Sequence, residues 1–416
     1  MLSLERTDIS VLLRFHGDAK PFASFVDIRS TIVQFAMSRK RLLYLDQIKA
    51  VIVGLVIALH VPVAFFPTGW SGVRIPIEGM VGAGFIGFFN WYIYAINSFI
   101  MPMMFLISGY FVPRSVRKKG VMQYLKNRLI RLGIPFVIGL FIINNMSLLI
   151  GRLSPSSPLE FLPLSDIPFN RIGVLWFLMV LLVFDLIYCA WVKLRGEHSV
   201  VDSNSPVPTM HSWVISAVIL GIIEVAMSTQ TDLWASLRST PLNGLGFQGM
   251  HVFTYAFLFF TGCKASFYHW FERLDPHLVI KWFRLSMFLL LSQFGVSMVL
   301  LNMTLTFNTD IFKNPTSLIL FGQFVYPAIA WGVLSYLIMW FHRHEDSFGE
   351  WLSVAGLNSY GAYVIHPMVL VLVLMAVGFI GLNPWLTALI AMILTTLFSF
   401  GFTGLLRRFP VVAKIL

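Results

Sequence analysis

Three ionisable residues, Asp46, Lys49 and His60, lie at the start of the first apolar segment and within it. They are separated by three and eleven residues, so at about 100° per residue they share one face of a helix. At ~1.5 Å per residue His60 lies about 16 Å beyond Lys49, near the middle of a ~30 Å hydrocarbon layer. This pattern predicts a catalytic group with His60 as general base for a hydroxyl, and Asp46 and Lys49 at its entrance. A buried histidine that only bonds a neighbouring helix is the alternative.

The basic segment Pro113–Pro135 is a second candidate, because Lys126, Arg128 and Arg131 occur where the next apolar run begins. Arg128 and Arg131 are three residues apart, which places them on one helix face. Paired guanidinium groups suit a phosphate-rich ligand. The same charges are also typical of a membrane-topology signal whose side chains reach lipid headgroups, and the spacing leaves both interpretations open.

Four further residues are candidate pocket residues. Tyr363 and His366 are three residues apart in NSYGAYVIHP, so they share a helix face that serves either chemistry or hydrogen bonding between helices. His251 lies at the edge of an apolar run, where an interfacial role is the alternative. Trp176 begins another apolar run, where aromatic residues often anchor a helix at the membrane interface.

Two acidic residues, Asp185 and Glu224, lie inside apolar segments, where each needs a partner. No sequence motif identifies those partners. The sequence has no phosphate-loop or dinucleotide glycine motif, and its histidines and cysteines lack metal-site spacing. Its two cysteines both lie in apolar runs and form no disulfide framework. We therefore expect neither a metal site nor a permanently bound cofactor.

The amino-acid composition indicates which class of protein holds these candidate residues. The chain has 416 residues, of which 57% are hydrophobic and 12% charged, whereas soluble domains contain about 25% charged residues. Its mean hydropathy is +0.79. These values predict an all-α, polytopic integral membrane bundle. The net charge of +11 does not indicate nucleic acid as a partner, because the basic residues cluster in short segments beside apolar runs, as in membrane-topology signals.

Windows of about 20 apolar residues predict ten transmembrane helices. With a cytoplasmic N-terminus, 25 of the 30 Lys and Arg residues fall on the cytoplasmic side, which supports this orientation. The halves show no internal repeat of the kind seen in many transporters. The predicted spans are 47–66, 87–112, 131–150, 173–192, 211–229, 248–268, 282–303, 316–341, 352–377 and 385–406.

The sequence divides into three predicted regions. Residues 1–45 form a cytoplasmic N-terminal segment in which 22–37 fits a helix lying on the membrane face, with a partly disordered tail as the alternative. Residues 46–408 form the transmembrane domain, and 409–416 form a cytoplasmic tail.

Four stretches together resemble the membrane acyltransferase-3 family. They are YLDQIKAVIVGLVIALH, the segment from IMPMMFLISGYFVPR through the basic residues to LGIPF, LWFLMVLLVFDLIY, and LNSYGAYVIHP. They occur in the family's order over roughly residues 40–406. Within the family the chain looks most like the branch that includes the glucan-modifying enzyme called glucan biosynthesis protein C.

The resemblance implies an acyltransferase of the inner (plasma) membrane. Such an enzyme would move an acyl group from cytoplasmic acyl-CoA to a hydroxyl of a glycan or another envelope acceptor. The family's basic residue followed ten positions later by a catalytic histidine maps onto Lys49 and His60, although the family usually has Arg where this chain has Lys. Its Arg-x-x-Arg pair maps onto Arg128 and Arg131, which the resemblance implicates in handling acyl-CoA, with Lys126 beside them.

Two other classes are compatible with ten spans and a buried histidine. One is a secondary transporter or flippase of similar helical architecture, which would need no acyl-CoA. The other is a membrane sensor without catalytic activity. Binding or hydrolysis of acyl-CoA in the absence of any gradient distinguishes the acyltransferase from both.

Overall fold

The computed structural model describes residues 24–66, 73–74, 83–152, 160–161, 172–195, 206–229, 251–307 and 316–416. The chain divides into two units, Met1–Leu43 and Tyr44–Leu416, and the contacts given below all lie within the second. The region of the predicted interfacial helix at 22–37 is described as helical from Ser24 onward, and its side chains lie outside the described residues.

The described secondary structure is almost entirely helical. Two-residue strands β1 and β2 pair antiparallel, with Val73 opposite Phe161. The elements in order are α1 (Ser24–Val63), β1 (Val73–Arg74), α2 (Ala83–Lys119), α3 (Val121–Arg128), a π-helical turn (Leu129–Gly133), α4 (Ile134–Ile138), a second π-helical turn (Gly139–Ile143), α5 (Asn144–Arg152), β2 (Glu160–Phe161), a 3₁₀ turn (Gly173–Leu175), α6 (Trp176–Arg195), α7 (Met210–Thr229), α8 (Val252–Tyr268), a 3₁₀ turn (Phe271–Arg273), α9 (Pro276–Phe307), α10 (Thr316–Arg343), α11 (Gly349–Gly378), α12 (Pro384–Leu406) and α13 (Pro410–Ile415).

The predicted all-α membrane bundle is confirmed. Within the described residues, nine helical segments are at least 18 residues long and apolar enough to cross a membrane. They correspond to nine of the ten predicted spans. The remaining one, predicted at 248–268, is α8, which has 17 residues and is therefore only about 26 Å long.

The outer helices expose large apolar side chains, as expected of a protein surrounded by lipid. Ile215 of α7, Phe288 of α9 and Leu397 of α12 are more than half exposed. A soluble protein rarely exposes such a continuous apolar surface. Helices α2, α10 and α11 are the most buried spans, so the interior of the bundle lies around them and beside α1 and α6.

Glycines bring buried helices into close contact. A side chain at Gly109 of α2 would overlap the backbone carbonyl of Phe259 on α8, and one at Gly262 of α8 would overlap that of Leu106. Small residues at such crossings let two helix backbones approach each other. Because both helices contribute a glycine, α2 and α8 pack backbone against backbone.

Helix α1 is held by three other helices. A side chain at Gly356 of α11 would overlap the backbone carbonyl of Asp46, so α1 and α11 also pack closely. Gly54 faces Thr396 of α12, and the Tyr44 ring meets the His342 ring of α10 edge-on at 5.0 Å. These contacts determine where the far end of α1, which carries His60, meets α11.

The basic segment 113–135 is helical except at Gly120. Helix α2 continues to Lys119, and the chain turns at Gly120, whose φ of 75° is accessible mainly to glycine. Helix α3 and the π-helical turn Leu129–Gly133 follow directly. A π-helical turn changes the angular spacing of side chains, so Arg128 and Arg131 do not follow regular α-helical spacing.

Candidate active site

His60 lies in the last turn of α1 and is half-buried. Its Nδ1 is 2.6 Å from the backbone carbonyl oxygen of Val56. A carbonyl oxygen only accepts, so Nδ1 carries a proton, and in the neutral ring the lone pair lies on Nε2. The ring is three residues from the Val63 end of the apolar span Leu43–Val63.

A second histidine, His366 of α11, is fully buried against His60. The two ring centroids are 5.0 Å apart and the ring planes are inclined by 43°. We call His60 and His366 the histidine pair. The two residues lie on helices that are far apart in the chain, and the packing of α1 on α11 brings them together.

The local sequence of α11 explains how His366 is oriented. Its Nδ1 is 2.6 Å from the carbonyl oxygen of Tyr363. In a regular helix that carbonyl accepts from the N–H four residues later, but that residue is Pro367, which has no N–H. His366 therefore takes the hydrogen bond that Pro367 cannot make, and its Nε2 also becomes the unprotonated nitrogen of the neutral ring.

Tyr363 connects the histidine pair to α6. Its hydroxyl donates a hydrogen bond to the carbonyl of Val174, just before α6 begins, and its ring meets that of Phe177 at 5.8 Å. Its own ring centroid is 5.9 Å from that of His366. The structure thus brings together three sequence-predicted residues, His60, Tyr363 and His366, that the sequence did not place in one site.

Asp46 and Lys49 do not reach His60. They form an ion pair with each other at 2.5 Å, and the Lys49 Nζ lies 5.1 Å from the centroid of the Phe111 ring. Along the helix Lys49 is about 16 Å from His60. This separation agrees with a place at the entrance, and the predicted part of Asp46 and Lys49 in catalysis stays a prediction.

Arg128 has a buried partner that the sequence did not identify. Its Nε lies 3.0 Å from Oδ2 of Asp185 and donates to the Tyr124 hydroxyl at 2.8 Å. The Tyr124 hydroxyl donates in turn to Asp185 Oδ1 at 2.6 Å. Asp185 is fully buried, so this group, which we call the Asp185 cluster, fixes α3 to α6.

Arg131 and Lys126 have different surroundings from Arg128. Both side chains are exposed, and the Arg131 backbone carbonyl accepts a hydrogen bond from the Tyr360 hydroxyl at 2.5 Å. Arg128 thus pairs with Asp185 while Arg131 is exposed, and the predicted joint role of the two arginines in acyl-CoA binding stays a prediction.

His251 belongs to a separate buried cluster. Its Nδ1 is 3.0 Å from Oε2 of Glu224, and the Thr254 hydroxyl donates to the other carboxylate oxygen at 2.5 Å. The ring stacks on Tyr326 at 3.5 Å between centroids. The expectation that Glu224 needs a partner is confirmed, and its partners include His251, one of the candidate pocket residues.

Trp176, the last predicted pocket residue, packs against aromatic side chains of α2 and α8. Its ring stacks with Tyr255 at 5.7 Å and lies 6.2 Å from that of Phe105. It therefore contributes to an aromatic core, and its described ring contacts do not include the histidine pair.

Comparison with known proteins identifies the family of the chain. Residues 42–404 match the acyltransferase-3 family, described as an acyltransferase domain. Neither the curated proteins nor the solved structures gave a match. The matched region includes the histidine pair, the Asp185 cluster and the basic segment. The chain therefore belongs to the acyltransferase-3 family and is an integral membrane enzyme that transfers acyl groups.

Proposed function

We propose that this protein is an O-acyltransferase of the plasma (inner) membrane that takes its acyl group from cytoplasmic acyl-CoA. The acceptor would be a hydroxyl of a glycan or another envelope molecule, with His60 as general base. The domain is the transmembrane region 46–408, preceded by a cytoplasmic segment 1–45 and followed by a cytoplasmic tail 409–416. The observation that carries the proposal is the orientation of His60 inside the bundle of a family that transfers acyl groups.

The His60 ring has the form that a general base requires. The Val56 carbonyl fixes the proton on Nδ1, so Nε2 is the nitrogen that accepts a proton. An imidazole is costly to bury in a membrane unless it serves a function or lines a cavity. His60 also packs on a second polar ring, that of His366.

The proposed reaction exchanges a thioester for an ester. His60 Nε2 takes the proton of the acceptor hydroxyl, and the oxygen attacks the thioester carbonyl. A new C–O bond forms, the C–S bond breaks, and the CoA thiolate receives the proton. Alternatively, His60 itself is acylated first and then passes the acyl group to the hydroxyl. Neither route needs a metal.

The exposed cations of the basic segment support the donor side of the proposal. Arg131 and Lys126 are exposed and can approach the phosphates of acyl-CoA at the cytoplasmic surface. Arg128 faces the buried Asp185 carboxylate, which offsets much of its charge. We therefore propose that Arg131 and Lys126 make most of the phosphate contacts. Arg128 mainly stabilises the position of α3.

Release of free thiol from acyl-CoA by the purified protein in nanodiscs tests the function. With acetyl-CoA or succinyl-CoA and a glucan oligosaccharide, the wild type should release thiol without any ion gradient, which a transporter or flippase would not do. His60→Asn keeps a donor near the Val56 carbonyl but removes Nε2. It should lower the rate at least 10²-fold, since a general base contributes ~10²–10⁴-fold.

The matched control is His277→Asn, because His277 is an exposed histidine far from α1 in sequence. It should retain the wild-type rate. A well-folded His60→Asn protein with normal turnover would refute the role of His60. Mass spectrometry of envelope glycans from cells with and without the gene should then show which ester is lost, and so identify both the acyl group and the acceptor.

A further inference from the structure

A second histidine, paired with a carboxylate, lies outside the histidine pair and has no part in the mechanism above. Glu224 of α7 is fully buried. His251 Nδ1 lies 3.0 Å from one of its carboxylate oxygens, and the Thr254 hydroxyl donates to the other at 2.5 Å. Ionisable side chains inside a membrane bundle are costly to bury, and they commonly mark the path of a substrate or ion. The Glu224–His251 pair is therefore a candidate ligand site.

The contacts of the His251 ring determine which of its nitrogens can meet a ligand. An ionised carboxylate only accepts, so His251 donates to Glu224 through Nδ1. Tyr326 covers a face of the ring, since the two rings stack at 3.5 Å with 1° between their planes. Among the described residues none forms a hydrogen bond with Nε2, and the side chain is 11% exposed. Glu224 and Tyr326 thus fix the ring and leave Nε2 for a ligand.

His251 and His60 lie on the same side of the membrane in the predicted arrangement of spans. His60 is three residues from the Val63 end of the first span, and His251 is the N-cap of α8, the sixth span. Because consecutive spans alternate in direction, the end of the first and the start of the sixth face the same side. In the proposed orientation this is the outer side, from which the acceptor arrives.

Packed aromatic rings join the Glu224–His251 pair to the histidine pair. The row begins where the Tyr255 ring meets the His251 ring at 6.1 Å between centroids. It ends where the Tyr363 ring lies 5.9 Å from the His366 ring. The rings between them are those of Phe105 and Phe177. Both pairs therefore border one aromatic core.

We propose that His251, oriented by Glu224, is an acceptor-binding residue whose Nε2 hydrogen-bonds a hydroxyl of the acceptor. This inference rests on the proposed function and deepens it, because it assigns a residue to the acceptor. A hydroxyl both donates and accepts, so it pairs with Nε2 whether that nitrogen is protonated or not. The hydroxyl that attacks the thioester belongs to His60, and His251 holds a different one. The acceptor therefore carries at least two hydroxyl groups, as a sugar does.

Thiol-release kinetics at varied concentrations of a glucan oligosaccharide test this role. His251→Asn keeps an amide N–H near the Nδ1 position for Glu224 and has no group at Nε2. We expect it to raise KM for the oligosaccharide roughly tenfold, the effect of losing one hydrogen bond. KM for acetyl-CoA should stay within about twofold, because the lost contact is to the acceptor alone. His251→Gln, whose amide reaches the Nε2 position, should recover part of the affinity for the oligosaccharide.

The matched control is His211→Asn, because His211 is an exposed histidine at the opposite end of α7 from Glu224. It should keep both wild-type KM values. A His251→Asn protein with the wild-type melting temperature and the wild-type KM for the oligosaccharide would overturn the inference. Equal rises in KM for both substrates would also overturn it, since they would indicate a structural role.

A second measurement decides the case in which His251→Asn melts early. A bound ligand raises the melting temperature of the protein that binds it, so the rise caused by the oligosaccharide is compared between variant and wild type. A smaller rise in the variant supports the inference, and an equal rise overturns it. Thiol release by the wild type keeps the proposed function in place in every one of these outcomes. If the wild type releases no thiol, the proposed function fails and the role of His251 with it.

Discussion

Residues of the same type have different surroundings and roles in this protein. Arg128 and Arg131 are the clearest example. The first faces a buried carboxylate at 3.0 Å, whereas the second is exposed. Removing one partner of a buried ion pair is strongly destabilising because it leaves the other charge uncompensated. Removing an exposed cation has little effect on stability and mainly lowers the affinity for the ligands that it binds.

We therefore expect Arg128→Ala to destabilise the protein by about 3–5 kcal/mol, seen as a lower melting temperature in detergent. Arg131→Ala should leave the melting temperature unchanged and raise KM for acetyl-CoA. Asp185→Asn combined with Arg128→Ala should recover part of the lost stability, because it removes the unpaired charge. Equal melting temperatures for the two single variants would show that the Asp185 cluster does not stabilise α3 on α6.

Residue chemistry was more predictable from the sequence than residue contacts. Asp185 and Glu224 had to have partners because they are acids inside apolar segments, and both partners are present in the structure. Their identities depend on helix packing, since Glu224 and His251 lie 27 positions apart and no local spacing relates them. Tyr363, His366 and Pro367 were conspicuous in the sequence, but nothing local to them indicates that His60 is their neighbour.

At the scale of helices, the histidine pair exists because α1 and α11 are in close contact. Gly356 permits that contact, since a Cβ there would overlap the Asp46 carbonyl. Gly356→Ala should therefore separate the two helices, lower kcat at least tenfold by displacing His60, and lower the melting temperature. Thiol-release kinetics and thermal melting measure both effects.

The control for this variant is Gly401→Ala on α12, where a new Cβ would meet nothing within 4 Å. Replacing glycine by alanine inside a helix usually stabilises it, by up to about 1 kcal/mol. Gly401→Ala should thus keep kcat and melt at the same temperature or higher. Normal kcat in Gly356→Ala would mean that the α1–α11 contact does not position the pair.

Helix positions were the most predictable feature of the fold, because runs of about 20 apolar residues identify spans without any knowledge of packing. Hydropathy could not predict the continuation of α2 through the basic residues to Lys119, or the π-helical turn after Arg128. Both depend on local backbone geometry that charge and apolarity do not encode. The sequence therefore could not show that Arg128 has a buried carboxylate as its partner while Arg131 is exposed.

For the whole molecule, the orientation in the membrane decides which substrate enters from which side. His60 is three residues from the Val63 end of its span. His366 lies about 18 Å from the Gly378 end of α11 and about 26 Å from its Gly349 end. In the proposed orientation both rings are therefore nearer the outer surface than the cytoplasmic surface. The long arm of acyl-CoA must then span the longer distance, from the cytoplasmic surface to His60.

Cysteine labelling tests this orientation. The two native cysteines are buried thiols, so they can be replaced before single cysteines are introduced. Ser347→Cys lies in the exposed turn between α10 and α11, and Ile380→Cys replaces a side chain that is 64% exposed in the turn between α11 and α12. A membrane-impermeant maleimide should label Ile380→Cys in intact cells and Ser347→Cys only after permeabilisation. The reverse pattern would place the basic segment opposite the cytoplasmic acyl-CoA pool and would contradict the proposed direction of transfer.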